Sequence, residues 1–304
     1  MLSIFIILLA SFAMGCGGSS NASGTMDTSS GTVPQFSHVV VVVEENASYS
    51  DVIGTSAMPY LNGLANQYGL STSYYANAHP SIGNYFMMTT GTIVTNDDTF
   101  TGTVSADNLV RQFQKDGKTW KSYAENLPST GYLGGDAYPY LKRHVPFSYF
   151  SDVANSSALA QNIVPFSNFA SDVSSGNLPN FSFVTPNAED DAHDCPGGGS
   201  SCTPASRLTT ADNWLKANIG PLISSPAFAN TLLVITFDEA QTSDTTHGGG
   251  HVAAILISPK VKMGYQGSGL YQHQNLESLL GAALRLSAVP GAGSSAGNMG
   301  EFFQ

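Results

Sequence analysis

The hydrophobic pattern along the chain changes period several times, and each change marks an element. Val39–Val43 is an uninterrupted β-branched run. With no polar residue alternating through it, the run fits a strand buried on both faces, as in a parallel sheet. "NTLLVITFDEA" (Asn230–Ala240) and "HVAAILISP" (His251–Pro259) repeat the pattern. "NFSFVTPN" (Asn180–Asn187) predicts a strand running into a polar loop, and "TWKSYAE" a shorter one. Apolar residues at spacings of three and four predict helices over Met58–Gly69, with Gly69 as the stop, and over Ser105–Gly117. "ADNWLKANIGPLIS" and "NLESLLGAALRLSA" predict two more. Buried strands alternating with helices predict an α/β fold: a doubly wound, mostly parallel sheet with helices on both faces.

In that architecture the C-terminal ends of the strands collect along one edge. Glu45 and Asn46 follow the valine run, Asn187 to Asp194 follow a second strand, and Asp238 and Glu239 follow a third. Acidic strand ends with nothing basic among them repel unless they share a cation. Their oxygens, joined by imidazoles from His193 and His273, suit a divalent metal. Ser81 follows Pro80 where a helix is expected to begin, and there a helix dipole and a nearby metal both favour its alkoxide. Glu44 is expected to face away from Glu45, because strand neighbours alternate, and to be dispensable. His79 is expected to shape the turn into Ser81. "HGGGH" (His247–His251) is expected to form a mobile rim, since three glycines make a poor ligand scaffold. "YLKRHVPFSYF" (Tyr140–Phe150) is the densest basic stretch. It reads either as a solvated surface or as a place from which His144, with Lys142, reaches a phosphate or protonates a leaving oxygen.

The N-terminus adds a compartment. Leu2–Met14 is apolar but too short to span a bilayer comfortably, and Gly15-Cys16 and a Gly/Ser/Asn/Thr-rich stretch follow it. This is the layout of a lipoprotein signal over residues 1–16 with Cys16 lipidated; an ordinary cleaved secretory signal is the alternative. Residues 17–34 are expected to be a flexible linker and residues 35–304 one domain. The chain is therefore expected to be exported, as a periplasmic, outer-membrane or cell-surface lipoprotein. Cys195 and Cys202 flank "PGGGSS", which in an exported chain predicts a small disulfide loop. The net charge of −11, with only 11 Lys and Arg, argues against nucleic acid or an anionic membrane surface as a partner. Membrane contact would come only through the lipid anchor, and an anionic substrate would need a bound cation.

Six segments, "VVVVEENASYSDVIG", "HPSIGNYFMMTTG", "FSFVTPNAEDDAHD", "DNWLKANIGPLI", "ITFDEA" and "YQHQNLESLLGA", occur in an order that resembles the bacterial phosphoesterase family. That family contains acid phosphatases and phospholipases C and belongs to the alkaline-phosphatase-like superfamily. The resemblance runs from about Phe36 to the C-terminus and implies an alkaline-phosphatase-like fold and metal-dependent phosphoester hydrolysis. Glu45 and Asn46 match its metal-binding pair, Ser81 its nucleophile, and Asp238 and Glu239 the acidic pair that completes the metal site. Asp191 and His193 stand where the wider superfamily takes an Asp and a His for another metal, and His273 matches its late histidine. His193 or His273 is then expected to help water resolve the phosphoserine. The acid phosphatase branch uses one metal, which leaves the second position empty or a proton-transfer site. The wider superfamily also has Asp-His where this chain has Asp238-Glu239, which shifts preference from zinc toward harder ions. The cofactor is expected to be Ca, Mn, Mg or Zn.

The substrate implied is a small phosphoester or a phospholipid headgroup, and the modest length favours a phosphomonoesterase. Two alternatives are a phospholipase C-type phosphodiesterase and a non-catalytic calcium-binding surface protein; the latter has no use for Ser81. Nothing in the sequence fixes the oligomeric state.

Overall fold

β1 (His38–Glu44) forms where the valine run predicts it, and Val39–Glu44 are all buried. Eight further strands are β2 (Gly69–Tyr75), β3 (Trp120–Ala124), β4 (Ile163–Pro165), β5 (Phe181–Thr185), β6 (Thr231–Phe237), β7 (His251–Ile257), β8 (Gln266–Gly267) and β9 (Tyr271–Gln272). Their order in the sheet is β4-β3-β5-β1-β6-β7-β2-β8, with β9 paired to β2. The computed structural model describes residues 31–199 and 201–304. The expected signal peptide, the expected lipidation at Cys16 and expected linker residues 17–30 lie outside the described residues. The last linker positions do not hang free: Gly31 exchanges hydrogen bonds with the Asn298 side chain, and Val33 is buried.

β1 lies between β5 and β6 and is parallel to both, pairing Val41 with Phe183 on one side and Val234 on the other. The mixed α/β architecture with a mostly parallel sheet is as expected, apart from one strand. β7 runs antiparallel to both β6 and β2. Its apolar run is as continuous as that of a parallel strand because both of its faces are covered, so composition does not reveal direction. Two reversals return β2 to the direction of β1, so Tyr75 emerges on the same edge as Glu44, Thr185 and Phe237.

Helix boundaries follow caps more than apolar spacing. Gly69 opens β2 instead of ending in coil. Asn108, whose side chain accepts from the Val110 and Arg111 N–H groups, starts the helix Leu109–Lys115, later than the expected Ser105. The helix expected from Ala211 begins at Pro204, behind a Thr203–Ser206 capping box, and ends at Asn218 before Gly220-Pro221. The helix Ile82–Thr90 after Ser81 is buried on every side and packs against the closing helix His273–Leu284. Cys195 and Cys202 are joined by a disulfide, in keeping with an oxidising compartment. No helix among the described residues is long and apolar enough to cross a membrane.

The glycine loop is not the mobile rim expected of it. Gly249 and Gly250 are buried, and a side chain at Gly248 or Gly249 would collide with the backbone of Asn77 and Ala78. The loop packs on the segment leading to Ser81, so its glycines serve close backbone approach. His247 and His251 bracket the Tyr75 ring, and His251 also stacks on Tyr49.

Glu277 lies inside the closing helix, fully buried beside Gly91 and Gly293. Burial pushes its carboxyl well above the ordinary range, Asp107 adds to this, and the Gly293 backbone opposes it. The folded protein therefore holds a proton that the unfolded chain releases above about pH 4.3. A raised carboxyl pKa lowers stability as pH rises past that point. Glu277→Gln should unfold at a higher temperature than the unmodified chain at pH 7, and the two should converge at pH 4. Thermal melts at both pH values check this; an equal difference at the two would exclude a titration origin.

Candidate active site

The acidic side chains lie just beyond strand ends, whereas Ser81 opens the helix Ile82–Thr90, which carries Tyr85, and His144 ends the short 3-10 helix Lys142–His144. Glu45 follows β1, is fully buried, and its N–H donates to the Asp191 carbonyl at 2.7 Å, tying β1 to the loop after β5. Asn46 adopts a left-handed conformation (φ 51°), which asparagine tolerates better than most residues. That turn aims its N–H at Asp238 Oδ1, 3.2 Å away, and so joins the ends of β1 and β6.

The Glu45 carboxyl is the hub. Oε2 accepts from Ser81 Oγ and from Asn46 Nδ2, each at 3.0 Å. Oε1 accepts from the Tyr85 hydroxyl at 2.6 Å and lies 3.2 Å from His144 Nε2. His144 is buried, stacks on Tyr85 with ring centroids 5.2 Å apart, and places Nδ1 3.4 Å from Asp191 Oδ2. Neither His144 Nε2 nor Asp191 Oδ2 makes a geometrically sound hydrogen bond, and Asp238 Oδ2 has no partner either. Ligand atoms from Glu45, His144 and Asp191 lie within 4.8 Å of one another. Two donors each 2.3–2.6 Å from one ion can be no more than about 5 Å apart, so the three fit a single cation.

Ser81 has helical backbone angles and its side chain makes no cap; the Asp98 carboxylate accepts from the Ile82 N–H instead. Its hydroxyl is thus free for Glu45, and it lies close enough to the Asp238 carboxyl to lower its pKa. Glu239 Oε2 faces His79 Nδ1 at 3.1 Å and Asn84 Nδ2 at 3.5 Å. Asn84 also accepts from the Asn77 and Ala78 N–H groups, which fixes the turn into Ser81.

Burial of acids beside one another sets the electrostatics of the site. Burial first, then Asp238 and Asp191, raises Glu45 well above the carboxylate range. Burial lifts Asp191 and Asp238 each to about 7, and burial with Asp238 lifts Glu239 to about 9. Burial, then the Arg143 charge, holds His144 well below its ordinary value, so its ring is neutral and fit to ligate. Arg143 does not discharge the cluster, because it is paired with Asp98 and Asp136.

The expected residues divide into three groups. Glu45, Asn46, Ser81, Asp191, Asp238 and Glu239 come together. His144, expected as a proton donor or phosphate contact, sits among the ligand atoms instead. Lys142 turns away, bonding the Leu133 carbonyl and lying over the Tyr149 ring. His273, expected as a metal ligand, does not face the cluster: its Nδ1 meets the Tyr74 hydroxyl and its Nε2 the Asp238 carbonyl, at 3.1 and 2.7 Å. Burial lowers it to about 4, so it is neutral, donates to that carbonyl, and positions Asp238. His193 stands half-buried at the rim, with Nδ1 2.7 Å from Asp194 Oδ1 and its ring centroid 6.3 Å from that of His144. A cavity of about 380 Å³ opens here, lined by Asn46, His193, Arg207, Gln241, Thr242 and Ser243.

Tyr85 and Asn84 were not anticipated. Tyr85 lies four residues beyond Ser81, one helical turn on, and that spacing was its only signal. Glu44, expected to face away from Glu45, is fully buried with neither oxygen bonded, and burial, then the charges of Asp191, Asp190, Glu125 and Asp212, push its carboxyl up. The acidic loop after β5 is likewise folded and not solvated: Asn187 accepts from the Glu189 and Asp190 N–H groups and donates to Glu125.

The phosphoesterase family model matches residues 55–286, beginning ten residues after Glu45. A phosphatidylinositol-3-phosphatase of Mycobacterium tuberculosis is 33% identical over 227 residues, 72% of this chain and 71% of that protein. A probable acid phosphatase of Kluyveromyces lactis is 30% identical over 68% of this chain, which spans about half (48%) of that protein's length. Among solved structures, an alkaline phosphatase superfamily protein from Vibrio parahaemolyticus superposes with a TM-score of 0.63 at 14% identity, over 90% of this chain and 72% of that one, which bears on the fold alone. Family match, relatives and architecture agree: the chain belongs to the phosphoesterase family, a phosphoric ester hydrolase with an alkaline-phosphatase-superfamily fold.

Proposed function

We propose that the chain is a metal-dependent phosphomonoesterase in which Ser81 is the nucleophile. The observation that carries this reading is the 3.0 Å contact of Ser81 Oγ with the buried Glu45 carboxyl, among ligand atoms that lack partners. Glu45, His144 and Asp191 would hold the cation, with Asn46, Asp238 and Glu239 as the oxygen donors around Ser81. Oxygens with one imidazole suit Ca, Mn, Mg or Zn. When bound, such an ion neutralises phosphoryl oxygens and favours the serine alkoxide.

Ser81 Oγ gives its proton to the carboxyl it touches and forms a bond to phosphorus as the ester P–O bond breaks. The departing alcohol oxygen needs a proton, and His193 stands at the rim where that oxygen would leave, oriented by Asp194. His193 then takes a proton from the water whose oxygen bonds to phosphorus as the Ser81 Oγ–P bond breaks, and the carboxyl that took the Ser81 proton returns it to Oγ. His273, with both ring nitrogens engaged, has no proton-transfer role.

The mycobacterial relative's name puts phosphorylated inositol lipids among the substrates to test beside small monoesters. An exported location fits the disulfide. A lipid anchor at Cys16 would hold the enzyme at a membrane without inserting its acidic surface.

Ser81→Ala should lose about 10³-fold or more in kcat on phenyl phosphate while its melting temperature stays unchanged. Full activity in that variant would exclude the nucleophile. Exhaustive chelation should abolish hydrolysis, and Ca²⁺, Mn²⁺, Mg²⁺ and Zn²⁺, added back singly, should include at least one that restores it; activity that survives chelation removes the metal from the scheme. Glu45→Gln should lose about 10²-fold or more in kcat/KM, since it removes a ligand and the proton acceptor together. Glu44→Gln should retain wild-type kcat/KM, and equal losses in the two variants would mean that the faces of β1 are not functionally distinct.

A further inference from the structure

We propose that Arg207 is a specificity-determining residue that selects phosphomonoesters carrying a second anionic group, a carboxylate or another phosphate, on the leaving side. This rests on the phosphomonoesterase reading of the site and names its substrate class. The cavity of about 380 Å³ begins at Asn46 and His193, beside the reacting centre, and extends to Arg207, Gln241, Thr242 and Ser243. Every lining residue except His193 and Arg207 is a neutral polar residue. The only permanent cation in that wall is the Arg207 guanidinium.

Of the four arginines, Arg207 and Arg285 make no ion pair among the described residues, and Arg285 spends its guanidinium on the Ala282 and Val33 carbonyls. Arg111 and Arg143 are each bound to aspartates. Among the described residues, no carboxylate lies within salt-bridge distance of Arg207. Its one recorded bond is from Nη1 to the His193 carbonyl at 2.6 Å. That bond uses one of five N–H donors and leaves the fork able to take an anion side-on.

The local fold holds this guanidinium in place. Thr203 and Ser206 form the capping box that starts the helix Pro204–Asn218, which sets Arg207 in its first turn. The Cys195–Cys202 disulfide closes the loop between His193 and that helix, and the bond to His193 closes it again from the Arg207 side. The outer charge is thereby set at a fixed place relative to the rim of the reacting centre. A substrate with one anion at Ser81 and a second beyond its ester oxygen satisfies both ends of the cavity. A neutral leaving group satisfies only the inner end.

The test compares kcat/KM on phenyl phosphate, 3-carboxyphenyl phosphate and propane-1,3-diyl bisphosphate, for the unmodified chain and for Arg207→Gln and Arg207→Lys. The unmodified chain should favour the two doubly anionic compounds, and raising ionic strength should shrink that preference. In Arg207→Gln the ratio of either doubly anionic substrate to phenyl phosphate should fall about tenfold or more, chiefly through KM. Arg207→Lys should fall between the two, keeping the charge but not the fork. An unchanged ratio overturns the proposal, and so does an equal loss on all three compounds, which would make Arg207 a brace for the His193 loop. A fall for only one doubly anionic compound identifies which anion the residue selects. The salt dependence needs no variant: a preference that is absent or insensitive to salt in the unmodified chain also overturns the proposal. Failure to hydrolyse any of the three would instead remove the phosphomonoesterase reading, and this inference with it.

Discussion

Burying several carboxyl groups together costs free energy that hydrogen bonds alone do not recover. Glu45, Asp191, Asp238 and Glu239 are all buried within reach of one another's charge; the imidazoles beside them are His144, which is neutral, and His79, 3.1 Å from Glu239. At an effective dielectric of about 20, two like charges 4 Å apart repel by about 4 kcal/mol. Such a cluster is tolerable if the groups keep protons or if a cation joins them. The unpartnered atoms on Asp191, Asp238 and His144 favour the cation, because a group settled as a neutral acid would be expected to find an acceptor for its proton. Much of the rest of the structure can be read as the apparatus that holds this arrangement at one sheet edge.

The sheet does so by register more than by any single contact. Parallel pairing of β1 with β5 and β6 brings three acidic strand ends level, and backbone bonds lock them: Glu45 N–H to the Asp191 carbonyl, Asp238 N–H to the Glu44 carbonyl. A one-residue slip of β1 would exchange Glu44 for Glu45 at the cluster, since side chains alternate with period two. The valines, identical and buried on both faces, do not distinguish the two registers, so the backbone bonds at the strand ends do. The antiparallel β7 adds a second device. It makes the β6–β7 connection, residues 238–250, a loop on the functional edge, and its glycines press on the backbone that presents Ser81.

Much of the frame was legible in the amino-acid sequence. The runs at Val39–Val43, Asn230–Ala240 and His251–Pro259 became strands, and the acids after the first two became the site. What was not legible has physical causes. The direction of β7 leaves no mark on a strand covered on both faces. Helix starts at Asn108, Thr203 and Gln272 follow side-chain caps, which apolar periodicity does not register. The basic stretch Tyr140–Phe150 reads as a solvated surface or as a place from which His144, with Lys142, reaches a phosphate or protonates a leaving oxygen. In the fold its residues diverge: His144 turns inward to Glu45, Lys142 bonds a carbonyl, and Arg143 pairs with acids. His273 has the residue type of a ligand but not the freedom of one, because Tyr74 and the Asp238 carbonyl occupy both nitrogens.

That fate of His273 shows how the site is stiffened. A neutral ring that donates to a backbone carbonyl and accepts from a hydroxyl has one tautomer and one orientation. It fixes the Asp238 backbone, and Asp238 Oδ1 in turn accepts the N–H groups of Asn46 and Glu239. One carboxylate oxygen is thereby spent on architecture, and the other stays unpartnered beside Ser81. Glu45 divides its oxygens differently, with Tyr85 and His144 on one and Ser81 and Asn46 on the other. The two carboxyls that touch Ser81 are therefore not equivalent. Asp238 is held by backbone groups that cannot move without shifting β1 and β6. Glu45 is held by side chains from three separate segments, so it can exchange a proton with Ser81 while its backbone stays in register. In the proposed scheme Glu45 is both ligand and proton acceptor, and one carboxyl can serve both because its two oxygens have separate partners.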